Sequence, residues 1–288
     1  MAKTFTFQDF TTRFPNDDAC LEHLMKVRYG SRTECPKCGK TGRFVRLRNE
    51  PAFCCPTPRC GHHIHPMVGT PFHRTHTALS KWFYAMYLFT TSRHGVPAKE
   101  LQRQLGVTYK TAWRMGHEIR KYMAAVDGDS PLGGNGIVEA DKAFIGGKDK
   151  RGLDDKTIVL GMVERGGDLM TRIVPNRHEF NVVPHITENV IAGSRVATDE
   201  GRTFMNLRHE GFDHGKVNHS KKEYVRGDIH TNTIESFWSR LKASIRGTHV
   251  HVSPQHLSKY LGEFEFRFNL RKQPALMFDV LLLAFPKP

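Results

Sequence analysis

Five of the six cysteines fall between Cys35 and Cys60, in the runs ECPKCGK and FCCPTPRCGHH, and no other feature limits the possible architecture so tightly. The first pair is C-x2-C followed by glycine, the tight knuckle that aims two thiolates at one tetrahedral ion. Sixteen residues intervene before Cys55 and four more before Cys60, a spacing that approximates a zinc ribbon. The second knuckle departs from C-x2-C because PTPR lengthens it. Cys54 therefore competes with Cys55, and His62 or His63 with Cys60, for a place around the ion. With Gly39 and Gly61 closing the two knuckles, the expected ligands of a structural Zn2+ are Cys35, Cys38, Cys55 and Cys60. A closed four-ligand site staples a small module and does no chemistry. Cys20 lies in the helical pattern DACLEHLMKVRYG and reads as a small buried thiol.

The 288 residues suffice for two or three compact units, and the net charge of +14, with 17 histidines uncounted, favours a polyanionic partner. The basic residues are spread through RFVRLR, ELQRQLGVTYKTAWR and RLKASIR, which suits an extended phosphate footprint better than a basic tail. The start MAKTFTFQDF lacks the apolar region of a signal peptide, and the longest apolar runs, WFYAMYLF and VLLLAF, are too short to span a bilayer. The expectation is a soluble, cytoplasmic protein with no membrane partner. In that reducing compartment clustered cysteines favour metal over disulfides.

After the cysteine module, ALSKWFYAMYLFTTSRHG predicts one buried helix ending near Gly95. Two helical segments follow around Leu105-Gly106-Val107, with Pro97 suited to a first turn and Thr108 to an N-cap. Gly106 fits the turn of a helix-turn-helix, whose second helix would present Tyr109, Lys110, Thr111 and Arg114 to DNA. The bland alternative is a helical spacer with a solvated basic face.

DGDSPLGGNG marks a boundary, beyond which the pattern turns strand-like. The expected organisation is an N-terminal helix and ribbon over 1–75, a helical module over 76–126, and an α/β domain over 127–288. GIVEADKAFIGG predicts a strand reaching Asp141, and TIVLGMVERGGDLMTRIVPN a hairpin around Gly166-Gly167-Asp168. VVPHITENVIAG predicts a helix, SRVATDEG a strand ending at Asp199, and TNTIESFWSRLKASIR a helix with Glu235 in its first turn. Three carboxylates drawn from distant points of such a sheet can hold two divalent metals, a pair that activates an attacking oxygen on a phosphodiester. Glu139 shares the strand face of Asp141 by its period of two but stands earlier, and is set aside. Asp228 reads as a turn residue, and His219 and His230 as hydrogen-bonded loop histidines.

Thirty-five residues separate Asp199 from Glu235, and Lys242 follows seven later. Here the chain resembles the DDE transposases of bacterial insertion sequences, and more closely their zinc-ribbon, ISXO-type group. The resemblance is carried by CPKCG, GTPF, KWFYAMYL, QLGVTYKTAWRM, VEADKAFIGGK, VNHSKKEYVRGDIHTNTIESFWSRLK and EFEFRFN, in family order from about residue 20 to residue 270. It implies an RNase H-like catalytic domain, a mixed sheet with helices, dependent on Mg2+ or Mn2+. Asp141, Asp199 and Glu235 match the three metal-holding acids and Lys242 the trailing basic position. Some members of the group carry asparagine as the third residue, and Asn232 stands one turn before Glu235.

The resemblance implies cleavage at insertion-sequence ends and joining of the freed 3′-hydroxyl to target DNA. Lys242 and Arg246 would lie along substrate phosphates, and the ribbon and helical module would recognise the terminal inverted repeats. The expected partners are double-stranded DNA, at the nucleoid, and a second copy of the chain. The alternative from another class is a non-catalytic zinc-ribbon DNA-binding protein or a decayed transposase.

Overall fold

The chain divides into two units. In the computed structural model, which describes residues 5–126, 130–134, 136–146 and 156–285, one unit comprises Met1–Ser92, Val96–Tyr122 and Lys272–Pro288, and the other Arg93–Gly95 and Met123–Arg271. Among the described residues no helix is long and apolar enough to cross a membrane.

The first unit opens with α1 (Phe7–Arg13) and α2 (Asp17–Tyr29), each started by a side chain that accepts a free first-turn N–H: Thr6 from Asp9, and Asn16 from Ala19. α2 buries Cys20, Leu21, Leu24 and Met25, and burial pushes the Cys20 thiol up to about 12, so it is the inert core thiol its helical setting predicts. Two small antiparallel sheets follow. β1 (Thr33–Glu34) pairs with β2 (Thr41–Gly42); β3 (Val45–Arg46), β4 (Phe53–Cys54) and β5 (His63–Ile64) form the second sheet in that order.

α3 (Leu79–Thr91) buries Trp82, Phe83, Met86 and Phe89, as its apolar run predicts. α4 (Ala98–Leu105) ends at Gly106, which takes the left-handed conformation at φ 58° and ψ 43° that glycine adopts without a Cβ penalty. α5 (Tyr109–Val126) then starts with the Thr108 hydroxyl accepting the Thr111 N–H at 3.2 Å. Leu101, Leu105, Ala112, Met115 and Ile119 make the buried face, and Arg120 is locked inside by the Val96 carbonyl at 2.9 Å and the Phe89 ring. Two helices joined at a left-handed glycine thus follow from these local signals.

The second unit is built on a five-stranded mixed sheet: β6 (Ile137–Ile145), β7 (Thr157–Glu164), β8 (Leu169–Val174), β9 (Arg195–Thr198) and β10 (Asp213–Lys216), in the spatial order β10-β9-β6-β7-β8. β10, β9 and β6 run parallel, while β6, β7 and β8 form an antiparallel meander. β6 reaches Asp141 as expected and runs on to Ile145, within the predicted stretch. One expectation needs correction: the polar stretch after Asp199 contains a further strand, β10. β10 reads DHGK and has no apolar alternation. It forms because its backbone pairs with β9, a cause invisible in its own side chains.

Helices cover both faces. α6 (Glu179–Asn189) and the segment around Phe204 and Phe212 pack on the face that includes Val138, Ala140, Leu160 and Met162. α7 (Asn232–Ser244) and α8 (Pro254–Asn269) pack on the opposite face with Ala143, Ile145, Val159 and Val163. The odd residues of β6, Asp141 among them, therefore look toward α7. Gly161, directly opposite Asp141 on β7, permits that approach: a Cβ there would stand 2.4 Å from the Trp238 ring and 2.8 Å from Ile234 Cδ1.

Gly161→Ala is expected to lower unfolding free energy by about 1–3 kcal/mol, the typical cost of overpacking. Denaturant unfolding at unchanged m-value checks this, and an unshifted midpoint would show that α7 can move away freely.

Candidate active site and cysteine cluster

In the ribbon, the first knuckle closes through the Gly39 N–H on the Cys35 carbonyl at 2.8 Å, with Gly39 at φ 69°. The longer second knuckle closes through the Cys60 N–H on Thr57 at 3.1 Å, with Arg59 and Gly61 both left-handed at φ 64° and 58°. PTPR is thus absorbed into an extra turn. One donor atom each of Cys35, Cys38, Cys55 and Cys60 lies within 4.8 Å of the others.

The Sγ atoms of Cys35 and Cys60 are 3.6 Å apart and those of Cys38 and Cys55 3.7 Å apart. A tetrahedron with Zn–S bonds of about 2.3 Å has edges of about 3.8 Å, so the quartet is shaped for such an ion. Cys54, whose thiol approaches the Cys55 carbonyl, His62 and His63 stand outside the quartet. The Lys40 backbone N–H, with the Thr57 hydroxyl, brings the Cys38 thiol down to about 6, favouring the thiolate.

On the helical module, Tyr109, Lys110, Trp113 and Arg114 are exposed along one turn and a half of α5. Thr111 is partly buried and its hydroxyl is engaged with that of Thr108 at 3.0 Å. Trp113, which the charge-led reading passed over, therefore shares the exposed surface with the basic residues.

In the second unit the parallel register pairs Ala140 with Thr198, so the chain carries Asp141 and Asp199 side by side just beyond the last paired residues. Asp141 is enclosed by protein on most sides. Burial, then the charge of Asp199 and more weakly that of Glu235, push its carboxyl up to about 6 against the opposing pull of Lys142. Asp199 Oδ1 accepts the Gly201 N–H at 3.0 Å, and a Cβ on Gly201 would crowd that oxygen at 2.8 Å. Glu235 sits in the first turn of α7, half exposed, with its carboxylate accepting the Thr231 hydroxyl at 2.6 Å and 3.7 Å from His219 Nε2. Asn232 is the exposed first residue of the same helix. Lys242 follows on that helix, about 10 Å along its axis, and Arg246 is exposed in the π-helical turn Ile245–His249 beyond.

Three side chains acquire a part here that sequence reasoning did not give them. Glu139 is fully buried, and its carboxylate accepts the backbone N–H groups of Thr233 and Ile234 at 2.7 and 3.0 Å, the Thr233 hydroxyl at 2.9 Å and Arg165 Nε at 2.7 Å. It is a helix N-terminal anchor reaching in from a strand. Arg165 in turn donates to the carbonyls of Asp228 and His230, fixing the approach to α7. Lys142 holds its ammonium 3.9 Å over the Phe204 ring; burial lowers its pKa, while the charges of Asp199 and Asp141 oppose that shift. Asp228 lies in a turn closed by the Arg226–Ile229 bridge, as read from the sequence.

The arrangement brings three carboxylates within electrostatic reach of one another without closing them on one point. Among the described residues, the groups with donor atoms already within 4.8 Å of one another are the cysteine quartet and a trio of Glu50, His63 and His65. Oxygen donors alone suit a hard divalent cation such as Mg2+ or Mn2+, and an ion among Asp141, Asp199 and Glu235 would relieve the repulsion that raises Asp141.

Two acids on one strand face are expected to respond oppositely to removal. Glu139→Ala should destabilise by about 3–5 kcal/mol, because it strips the partner of a buried charge. Asp141→Asn in Mg2+-free buffer at neutral pH should stabilise by up to about 3 kcal/mol, because a carboxyl lifted from 3.8 to about 6 is penalised when ionised. Between those two pKa values the folded state binds more protons than the unfolded one, so wild-type stability falls as pH rises through that window. The advantage of Asp141→Asn should accordingly vanish near pH 4, and denaturant titrations across pH read both effects.

The model of the ISXO2-like transposase domain matches residues 132–269, and that of the transposase zinc-ribbon domain matches residues 15–63. An uncharacterized protein in transposable element ISH50 of Halobacterium salinarum is 27% identical over 286 residues, covering 91% of this chain and 94% of that relative. An uncharacterized transposase-like protein of Haemophilus influenzae is 32% identical over 99 residues, 34% of this chain and 79% of that relative. A cysteine quartet shaped for zinc and a mixed sheet flanked by helices thus stand within the matched segments, and the chain belongs to the ISXO2-like family of zinc-ribbon transposases.

Proposed function

We propose that the protein cleaves phosphodiester bonds at the ends of its insertion sequence and joins the freed 3′-hydroxyl to target DNA. The observation that carries this reading is the meeting of Asp141 and Asp199 on adjacent parallel strands, close enough for their charges and that of Glu235 to act on one another. The second unit, which ends at Arg271, is then an RNase H-like catalytic domain, with Asp141, Asp199 and Glu235 as ligands of Mg2+ or Mn2+. When bound, that metal supplies the positive charge that activates the attacking oxygen and stabilises the leaving one.

The chain's own residues do the positioning. Glu139 fixes the start of α7, the Thr231 hydroxyl orients the Glu235 carboxylate, and Gly201 leaves room beside Asp199. Glu235 is preferred to Asn232 as the third ligand, because a carboxylate binds a hard divalent ion better than an amide does. Lys242 and Arg246 lie along the same helix end and contact substrate phosphates. In the first step water attacks phosphorus at the element end and the 3′-oxygen leaves as a hydroxyl. In the second, that hydroxyl oxygen bonds to a target phosphorus, the target 3′-oxygen leaves, and the proton passes to it. No covalent bond to the protein is needed. Zn2+ in the cysteine quartet holds the ribbon, and with α5 it recognises the terminal inverted repeats. Because two ends must be cut and joined, at least two copies assemble on DNA.

Incubation with the element's own terminal DNA and Mg2+ should yield 3′-end nicks that Glu235→Gln abolishes while DNA binding persists. Equal absence of product from both proteins, with binding intact, would leave a DNA-binding protein without chemistry. Arg114→Ala should weaken binding to the terminal repeat by about 1–3 kcal/mol, if it reads a base, and Lys110→Ala should weaken binding to all sequences and reduce the salt slope by about one. Filter-binding across salt concentrations separates the two roles.

A further inference from the structure

The ribbon carries a second group of metal-ligating side chains, distinct from the cysteines. β4 and β5 pair antiparallel with Cys54 opposite His63 and Phe53 opposite Ile64. Ile64 is buried, so the strand alternation turns its two neighbours, His63 and His65, outward on one face, where both are exposed. Cys55, one residue past Cys54, belongs to the thiol quartet, which includes neither histidine.

Glu50 reaches the same face from the turn joining β3 to β4. That turn is held in shape from within: the Arg46 guanidinium donates to the carbonyls of Leu47 and Glu50, and the Leu47 N–H donates to Ala52 at 3.0 Å. Arg46 is itself tied to Asp18 at 2.8 Å. Glu50 Oε1 lies 2.8 Å from His63 Nδ1, and the rings of His63 and His65 are 6.4 Å apart. One donor atom from each of the three residues lies within 4.8 Å of the others.

We propose that Glu50, His63 and His65 form a second, exchangeable divalent-metal site on the outer face of the ribbon. Two imidazoles and one carboxylate select borderline cations, Zn2+, Co2+, Ni2+ or Cu2+, over Mg2+ or Ca2+. Three protein ligands leave a position for water or an anionic oxygen, unlike the closed thiolate quartet. A plain Glu–His ion pair would account for the 2.8 Å contact but not for His65 lying within reach of the same point. The site is independent of the acids of the second unit and of the function proposed for them.

The test is metal content of the full-length protein dialysed against Zn2+ with Mg2+ in excess, so that the carboxylates of the second unit are occupied. The wild type should hold one more zinc per chain than the His63→Ala/His65→Ala double variant, which keeps the ribbon ion. Glu50→Gln should hold the extra zinc more weakly. Equal zinc in wild type and double variant overturns the site. If the double variant also sheds the ribbon ion, Cu2+ paramagnetic resonance on the wild type decides. Splitting from two nitrogen donors supports the site, and its absence refutes it.

Discussion

Glu139 places a negative charge in the interior of the second unit, and the first-turn N–H groups of α7 and the Arg165 guanidinium answer it. Such a charge is costly in a protein interior unless fully paired, and here each partner comes from a different part of the chain. A strand, the residue after a neighbouring strand, and the start of a helix nearly a hundred residues away are therefore fixed to one point. The helix N-terminus contributes its own partial positive charge to the pairing, up to about 2 kcal/mol in partly buried settings. Glu235 stands in the first turn of the helix so anchored.

The same strand face carries the opposite electrostatic condition two residues later. Asp141 is surrounded by Asp199, Glu235 and low-dielectric protein, with Lys142 offsetting them in part, and its carboxyl is lifted accordingly. The satisfied acid stabilises the fold and the frustrated one is left with an unmet demand for positive charge. Perturbed carboxyls of this kind occur both at functional sites and in structural ion-pair networks. Trp238 and Ile234, packed against the space above Gly161, give the helix an apolar reason to stay where Glu139 puts it.

The ribbon solves a different problem. Its strands are two residues each, too short for a stable sheet on their own. Four cysteines able to hold one metal ion gather there, and the left-handed residues at Gly39, Arg59 and Gly61 give both knuckles the turns they need. The outward-facing histidines of β5 follow from the alternation that buries Ile64.

Local signals in the sequence determined much of this protein. The cysteine spacing, the Gly106 turn with its Thr108 cap, the hairpin at Gly166-Gly167 and the amphipathic helix bearing Glu235 are all set by residues close to one another in the chain, and all appear as read. The choice of Cys55 over Cys54 needed the fold, because both are one residue apart and only strand direction separates their faces. β10 needed a neighbour to pair with, since DHGK has no pattern of its own. Above all, Glu139 and Asp141 are indistinguishable as acids on one face of one strand. Which is anchored at a helix start and which is pushed toward protonation depends on where the N-terminus of α7 docks, and that is set by long-range packing that no local stretch of sequence encodes.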